Sequence, residues 1–535
     1  MTPPTTAPPP SARYTAADPT LAEGWTIERL TPPSRLFGAN GLRTGPDGRM
    51  YIAQVTGSQI SALDIATGAL ETISPKGGDI VTPDDIAFDP AGNLYATEYM
   101  EGRVSVRDTA GRTRVLRDDV PAANGITVHQ GRLFINECRD GGRLMEFDLA
   151  GGPPRVLAEN LPSPNAMEVG PDGLLYFPVM TANEIWRVSL DGGTPETVAT
   201  ELGAPDAVKF DADGFIVSTQ VASGQVLRID PRTGAKTVLA QLNPGLDNLT
   251  IVDGRLFASN FTGEITEVLG GGETRTLLQG GFNWPHDLAI GADGRLHIAD
   301  GTYFYALDAD GTREAVAMLF TPGYPGYMRG LAATGDGDFY CTTSLGQVGR
   351  YRPGGETQYL ATGFDQLYGV AAGPDGTIVF AELGAGRVHS LRSGTGAVIA
   401  NGLAEPSGVT FDLDGNPLVA ESGAGRILRI TGTGADTLVD ELQTPQGLTV
   451  DGTTLYIVDA GAKEVVAVDL NTGTRSLVAG GLPIGAPPGV TPKPLKGIQP
   501  FSGPQGPFAG ITAGPDGTLY VSADGEGSVL ALRRT

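Results

Sequence analysis

A short apolar segment, a turn of the Pro-Asp-Gly type and an alternating apolar segment follow one another again and again along this chain. The phrase is explicit in GLRTGPDGRMYIAQ (41–54), DIAFDPAGNLYATE (85–98), AMEVGPDGLLYFPV (166–179) and AVKFDADGFIVSTQ (207–220). It returns in DLAIGADGRLHIAD (287–300), GVAAGPDGTIVFAE (369–382), GVTFDLDGNPLVAE (408–421) and GITAGPDGTLYVSA (510–523). Weaker copies start at Gly125, Asn248, Gly330 and Gly447, making twelve in all. A spacing of roughly 40 residues is that of a four-stranded propeller blade. Each copy reads as strand a, the Pro-Asp-Gly reversal, strand b, then strand c, a second glycine turn and strand d. Glycine supplies the positive φ that such tight reversals need.

The fold class is therefore all-β. Twelve blades in one ring would leave a wide, empty channel, whereas two rings of six bury more surface. The sequence predicts two tandem six-bladed β-propellers, each blade a four-stranded antiparallel sheet. The expected divisions are a disordered Pro/Thr-rich leader (1–24), a first propeller (25–270) and a second (271–535) with a loop insertion at 481–507. Rings usually close by pairing strands from their two ends, which removes exposed edges. On that rule the lone segment Thr26–Leu30 is expected to complete the blade at 248–270. The strand near Thr274–Leu278 is then expected to complete the last blade, 510–535.

Composition excludes several functions. The formal charge of −24 and pI near 4.5 repel phosphate backbones, so nucleic-acid binding is not expected. The two cysteines, Cys138 and Cys341, form neither a disulfide framework nor a zinc cluster and are expected to be reduced and buried. The first residues lack a basic and apolar signal-peptide pattern, and no apolar run is long enough for a membrane helix. A cytoplasmic protein that does not bind membranes is expected, with its oligomeric state open.

Chemistry in a propeller gathers where strand a opens and strand b ends, at the top mouth of the ring. The opening column of the first ring is Asn40, Asp84, Asn124, Asn165, Asp206 and Asp247, each an amide or a carboxylate. Its strand-b ends are Gln54, Glu98, Glu137, Val179, Gln220 and Asn260. Convergent oxygen donors without His or Cys favour a hard cation, Ca²⁺ first and Mg²⁺ second. Turn capping by Asn and Asp is the competing explanation. The second ring has the same turns but opens on His286, Arg329, Tyr368, Ser407, Gln446 and Ala509, so turn geometry alone does not account for the first column.

His286, Arg329 and Tyr368, with Glu382, Glu421 and Asp459 from strand-b ends and Asp300, form an alternative acid–base set without metal. A structural ion pair of Arg329 with Glu382 or Glu421 is the competing reading. His297 and His389 lie within strands and are expected to be structural; His129 lies in a turn. Two proline-rich loops, 319–328 and 481–507, enlarge the second ring's mouth and bring Phe320, Tyr324, Tyr327, Ile498, Phe501 and Phe508. They suit a lid, a dimer contact or a filling of the channel mouth.

The motifs ANG (39–41), ANG (123–125), PNA (164–166) and PDA (205–207) resemble those of the senescence-marker-protein/gluconolactonase group of six-bladed propellers, which includes diisopropyl fluorophosphatase and paraoxonase as relatives. The resemblance implies a divalent cation held by Asn40, Asn124, Asn165 and Asp206. The family's first-blade Glu is Asn40 here, and Asp84 and Asp247 are placed to restore the lost charge. The implied activity is metal-assisted hydrolysis of a small ester or lactone with Asp206 or Asp84 as nucleophile or base. The substrate is expected to be a small molecule with apolar character. The second ring slightly resembles streptogramin lyase, which implies a lyase or cyclase of secondary metabolism as the alternative. A non-catalytic scaffold is the third reading.

Overall fold

The computed structural model describes residues 13, 18–149, 152–432, 434–497, 499 and 501–535. Among these residues the chain folds into β-strands and two single-turn 3-10 helices, Met180–Ala182 and Ser422–Ala424. The strands form twelve antiparallel sheets, eleven of four strands and one of five. Blades 1 to 6 span 42–74, 83–117, 123–162, 168–199, 205–241 and 246–278. Blades 7 to 12 span 287–318, 328–362, 367–401, 406–439, 445–480 and 511–534. Strand a of blade 6 packs on strand a of blade 1, and strand a of blade 12 on that of blade 7. The molecule is thus two six-bladed β-propellers, ring one and ring two.

The core of each ring lies between its blades, because each twisted sheet buries both faces against its neighbours. Ile52, Leu63 and Ile86, for example, fill the spaces beside blade 1, and Leu42 and Met50 meet Phe257 and Leu278 of blade 6. In seven of the twelve blades a glycine follows the strand-a opening residue, as at Gly41 and Gly408, and there it allows neighbouring blades to approach. A Cβ on Gly41 would lie 2.4 Å from the Asp84 carbonyl oxygen, and one on Gly408 only 1.9 Å from that of Gln446. Any larger residue there would push two blades apart.

Ring closure differs from the sequence expectation. Trp25–Arg29 pairs with Ser528–Arg534 and completes blade 12 of ring two, not the blade at 248–270. Glu273–Leu278 instead folds back on Ile265–Gly270 and completes blade 6. The cause is local: Gly270, Gly271 and Gly272 have φ of 96°, 64° and 87°, which turns the chain straight into a hairpin. Local pairing carries a smaller loop-closure cost than pairing across 250 residues of sequence. Ring one therefore closes by side-chain packing without strand exchange, helped by Thr44 Oγ1 donating to the Ile251 carbonyl at 2.8 Å.

Residues 1–12 and 14–17 of the expected leader lie outside the described residues. At its end, Thr20–Leu21 is not disordered but forms a short strand against Gly480 and Ala479, giving blade 11 a fifth strand. From Thr20 the chain therefore runs along ring two, crosses to ring one after Leu30 and returns after Leu278. The mouth loops of the two rings face each other, as in the 3.1 Å hydrogen bond from Tyr303 Oη to Asn260 Oδ1 and the 3.0 Å ion pair of Lys496 with Glu101.

Candidate active site

The six opening residues of ring one line a single cavity of ≈ 130 Å³. One comes from each blade, because strand a runs down beside the axis and its first residue points across the mouth. Asn124, Asn165, Asp84, Asp206 and Asp247 are all buried, with Asp206 only 4% exposed. Their contacts organise them as pairs. Asn40 Nδ2 donates to Asp247 Oδ2 at 2.9 Å, and Asn165 Nδ2 to Asp206 Oδ2 at 2.9 Å. The two amide oxygens are used locally: Asn40 Oδ1 accepts from Val55 N at 3.0 Å and Asn165 Oδ1 from Ala166 N at 2.8 Å.

The carboxylates carry the electrostatic strain. Asp206 and Asp247 are neighbours in the same buried opening, and the charge on Asp206 raises Asp247. Burial, then repulsion from neighbouring carboxylates, holds Asp84, Asp206 and Asp247 well above the usual carboxylate range. Burial also pushes the Cys138 thiol and Tyr99 phenol upward, so neither is a ready nucleophile. Both cysteines are free and buried.

Two acceptors in this cavity have no partner. Asn124 Oδ1 and Asn283 Oδ1 are buried without a hydrogen bond. Asn283 comes from ring two, where its amide nitrogen is fixed on the Phe261 carbonyl of ring one. A buried unsatisfied acceptor costs about 1–3 kcal/mol, so a bound donor or cation would relieve both. No three His, Cys, Asp or Glu side chains among the described residues form a ready-made metal cluster. The oxygen set here is mixed, with carboxamides between the carboxylates. Such a set fits a hard cation by donor chemistry and by its unrelieved negative charge.

Below the mouth the negative charge is offset. Arg43 Nη1 and Lys209 Nζ lie 3.0 and 2.9 Å from Glu168 Oε2, and Arg43 also reaches Asp85 at 3.9 Å. These four residues place a partly buried ionic cluster on the axis that local motif reading did not single out.

Ring two supplies the roof of the cavity. Leu319, Phe320 and Tyr327 come from the loop 319–328, and Phe501 and Ser502 from the insertion. The rings of Phe320 and Phe501 lie 6.3 Å apart. Ile498 lies outside the described residues. The insertion also descends into ring two's own mouth. Arg329 donates to the Pro504 carbonyl and, at 3.3 Å, to Gln505 Oε1, while Ala509 N donates to Gln446 Oε1 at 2.8 Å.

The alternative set in ring two does not assemble. Strand-b ends serve a repeated structural role. Glu382 Oε1 accepts from Asp365 N at 2.9 Å and Glu421 Oε1 from Ala404 N at 2.7 Å, each 17 residues back in the loop before strand a. Gln54, Glu98 and Gln220 grip Phe37, Val81 and Gly203 through the same 17-residue step. Asp300 and Asp459 each take two such backbone N–H groups. Glu382 is further held by Arg387 and by His389 at 2.6 Å, and Glu421 by Arg426 at 2.5 Å. The expected Arg329–glutamate ion pair is absent among the described residues. Arg329 lies instead with its guanidinium 4.4 Å from the centre of the Tyr368 ring. His286 is fully buried beside Trp284, and burial lowers it to about 3, so it stays neutral. His297 sits against Asp293 at 3.2 Å and between Phe304 and Phe339.

With this geometry in place, comparison with known proteins is informative. Residues 21–250 match the family model described as SMP-30/Gluconolactonase/LRE-like region. That match covers most of ring one. Residues 354–477, in ring two, match the model described as Outer membrane protein assembly factor BamB. No curated protein matches the chain. Among solved structures, a gluconolactonase from Xanthomonas campestris is 15% identical, with 48% of this chain and 96% of that one covered and a TM-score of 0.39. A putative gluconolactonase is 18% identical, with 49% and 95% covered and a TM-score of 0.38. Virginiamycin B lyase from Staphylococcus aureus is 21% identical, with 48% and 91% covered and a TM-score of 0.24.

Proposed function

We propose that the ring-one cavity is the active site of a lactonase-type hydrolase acting on a small ester or lactone. The observation that carries this reading is the pairing of three elevated carboxylates with two partnerless amide oxygens in one cavity. The family match of ring one supports it. Asn40, Asn124, Asn165, Asp206 and Asp247 would hold a divalent cation, Ca²⁺ before Mg²⁺. When bound, that ion would supply Lewis-acid polarisation of the substrate carbonyl.

The protein's own residues do the rest. Among the described residues no hydrogen-bond donor offsets the burial of Asp84, and in its ionised form this carboxylate can take the proton of an attacking water. The Asn40 and Asn165 amides orient Asp247 and Asp206. Phe320, Tyr327 and Phe501 exclude water from above and favour a substrate with an apolar face.

The test is turnover of a lactone and aryl-ester panel by the full chain, before and after EDTA and after Ca²⁺ is restored. Hydrolysis that is lost and recovered, and reduced at least about 100-fold in Asp84→Asn, supports the proposal. Undiminished turnover in Asp84→Asn, or in metal-free protein, overturns it.

A further inference from the structure

A second cavity, of ≈ 340 Å³, lies at the mouth of ring two and has the opposite chemistry. Its volume is within the roughly 300–1,000 Å³ of small-molecule sites. Phe37 and Lys76 of ring one form one wall, with Trp284, Tyr368, Gln446 and Gln505 of ring two around them. Thr56 borders both this space and the ring-one cavity, yet none of the six opening residues of ring one lines it.

Its unsatisfied groups are donors. Gln505 Nε2 is buried without a partner, because the other end of the amide receives Arg329. The Lys76 ammonium lies 4.2 Å from the centre of the Phe37 ring and 5.4 Å from that of Trp284. No carboxylate among the described residues forms an ion pair with it. Behind Tyr368, Arg329 is 0% exposed and also lacks an acidic partner. The acceptors are already used. Ser407 and Ser422 bond each other at 2.6 Å, and Gln446 Oε1 takes Ala509 N.

The charge balance points the same way. Asp524 is the buried acid here, and it already accepts Gly485 N at 2.7 Å. Arg13, Lys76 and Lys463 all surround it, while Glu405 stands exposed at the rim. In a chain of net charge −24, this is a locally cationic, donor-rich, aromatic-walled pocket. Burial, and then repulsion from Arg13, lowers the Lys76 amine to about 7 against the opposing pull of Asp524, so a bound anion would favour its charged form.

We infer that this cavity is a second ligand site, for a small aromatic carboxylate. The carboxylate would meet Lys76 and the Gln505 amide, and the ring would lie among Phe37, Trp284 and Tyr368. The inference does not depend on hydrolysis in ring one.

The experiment is calorimetric titration of the full chain with benzoate up to about 10 mM, a concentration matched to weak fragment binding, with benzamide as the uncharged control. The expected result is saturable benzoate binding and none by benzamide. Lys76→Met should weaken benzoate at least about ten-fold, whereas Lys76→Arg, which keeps the charge, should retain it. Asp206→Asn should bind benzoate as the wild type does, which separates this site from the first cavity. Thermal unfolding of Lys76→Met confirms that the variant is folded, and Gln505→Leu provides a second weakening variant on a different element. Absent benzoate binding, equal binding of benzamide, or wild-type affinity in folded Lys76→Met would each overturn the inference.

Discussion

Replacing Asp206 by Asn separates a ligand-holding carboxylate from a structural one by the sign of its effect. In the metal-free protein Asp206 is a buried acid beside Asp247 and is repelled by Asp84. The amide of Asp206→Asn can still accept from Asn165, now bonded at 2.9 Å, and can donate to Asp247. Metal-free stability should therefore stay within about 1 kcal/mol of wild type, on the stable side, since an isosteric neutral group removes like-charge repulsion. The cation-bound protein should behave in the opposite way. A ligand present at about 100 times its Kd adds roughly 2.7 kcal/mol to the folded state. For a ring of this size that is a rise in Tm of about 5–10 °C, and Asp206→Asn should lose it. The assay is thermal unfolding of EDTA-stripped wild type and variant, with and without millimolar CaCl₂. If Asp206→Asn unfolds well below wild type without metal yet keeps the full Ca²⁺ shift, Asp206 is a structural residue and the ligand assignment is wrong.

Three further outcomes follow from the same geometry. Cation affinity should rise with pH above the usual carboxylate range, with protons released on binding. The sign follows from the elevated carboxyls, which keep protons at low pH that the ion must displace; calorimetry in two buffers of different ionisation enthalpy checks it. Deleting residues 1–29 should open ring two and not ring one, because Trp25–Arg29 is the outer strand of blade 12. Hydrogen exchange should then rise across 511–534 but not across 265–278, at a cost on the order of 5 kcal/mol for a lost five-residue strand and its half-buried Trp25 and Ile27. Glu421→Ala should destabilise ring two by about 1–3 kcal/mol by stranding Ala404 N and Arg426, while ring-one turnover stays at the wild-type level.

The blade repeat and the ring-one opening column were legible because both rest on short-range rules. A Pro-Asp-Gly reversal places strand b wherever it occurs, and the period of the repeat brings each opening residue to the same point on its blade. Closure was not legible in the same way. Nothing in WTIER or ETRTLL alone says which edge each strand will meet, and the outcome turns on three consecutive glycines that favour a hairpin at 270–272. The strand-b ends were visible as a column of Gln, Glu and Asp but were open to a chemical reading. Their constant 17-residue reach back to a backbone N–H was a signal in the spacing, since turn length and strand length are fixed by the repeat. Asn283 and Phe501 join the ring-one cavity only through the contact of two rings, and no local pattern encodes that.

The contact between mouths explains why two similar rings carry different residues at equivalent positions. In ring one the axis is closed below by Arg43, Lys209, Glu168 and Asp85, which leaves the acidic opening above it as a space to be filled from outside. In ring two the insertion takes up part of the opening, held there by Arg329 and Gln446 through Pro504, Gln505 and Ala509, and leaves the second cavity beside it. An Arg in ring one would neutralise the carboxylates it faced. The same insertion then sends Phe501 over ring one, so the element that narrows one mouth shapes the other. Binding in ring one is therefore coupled to the packing of residues 495–509. A variant that loosens the insertion, such as Arg329→Ala, is expected to reach the ring-one site through Phe501 without touching any of its oxygen donors.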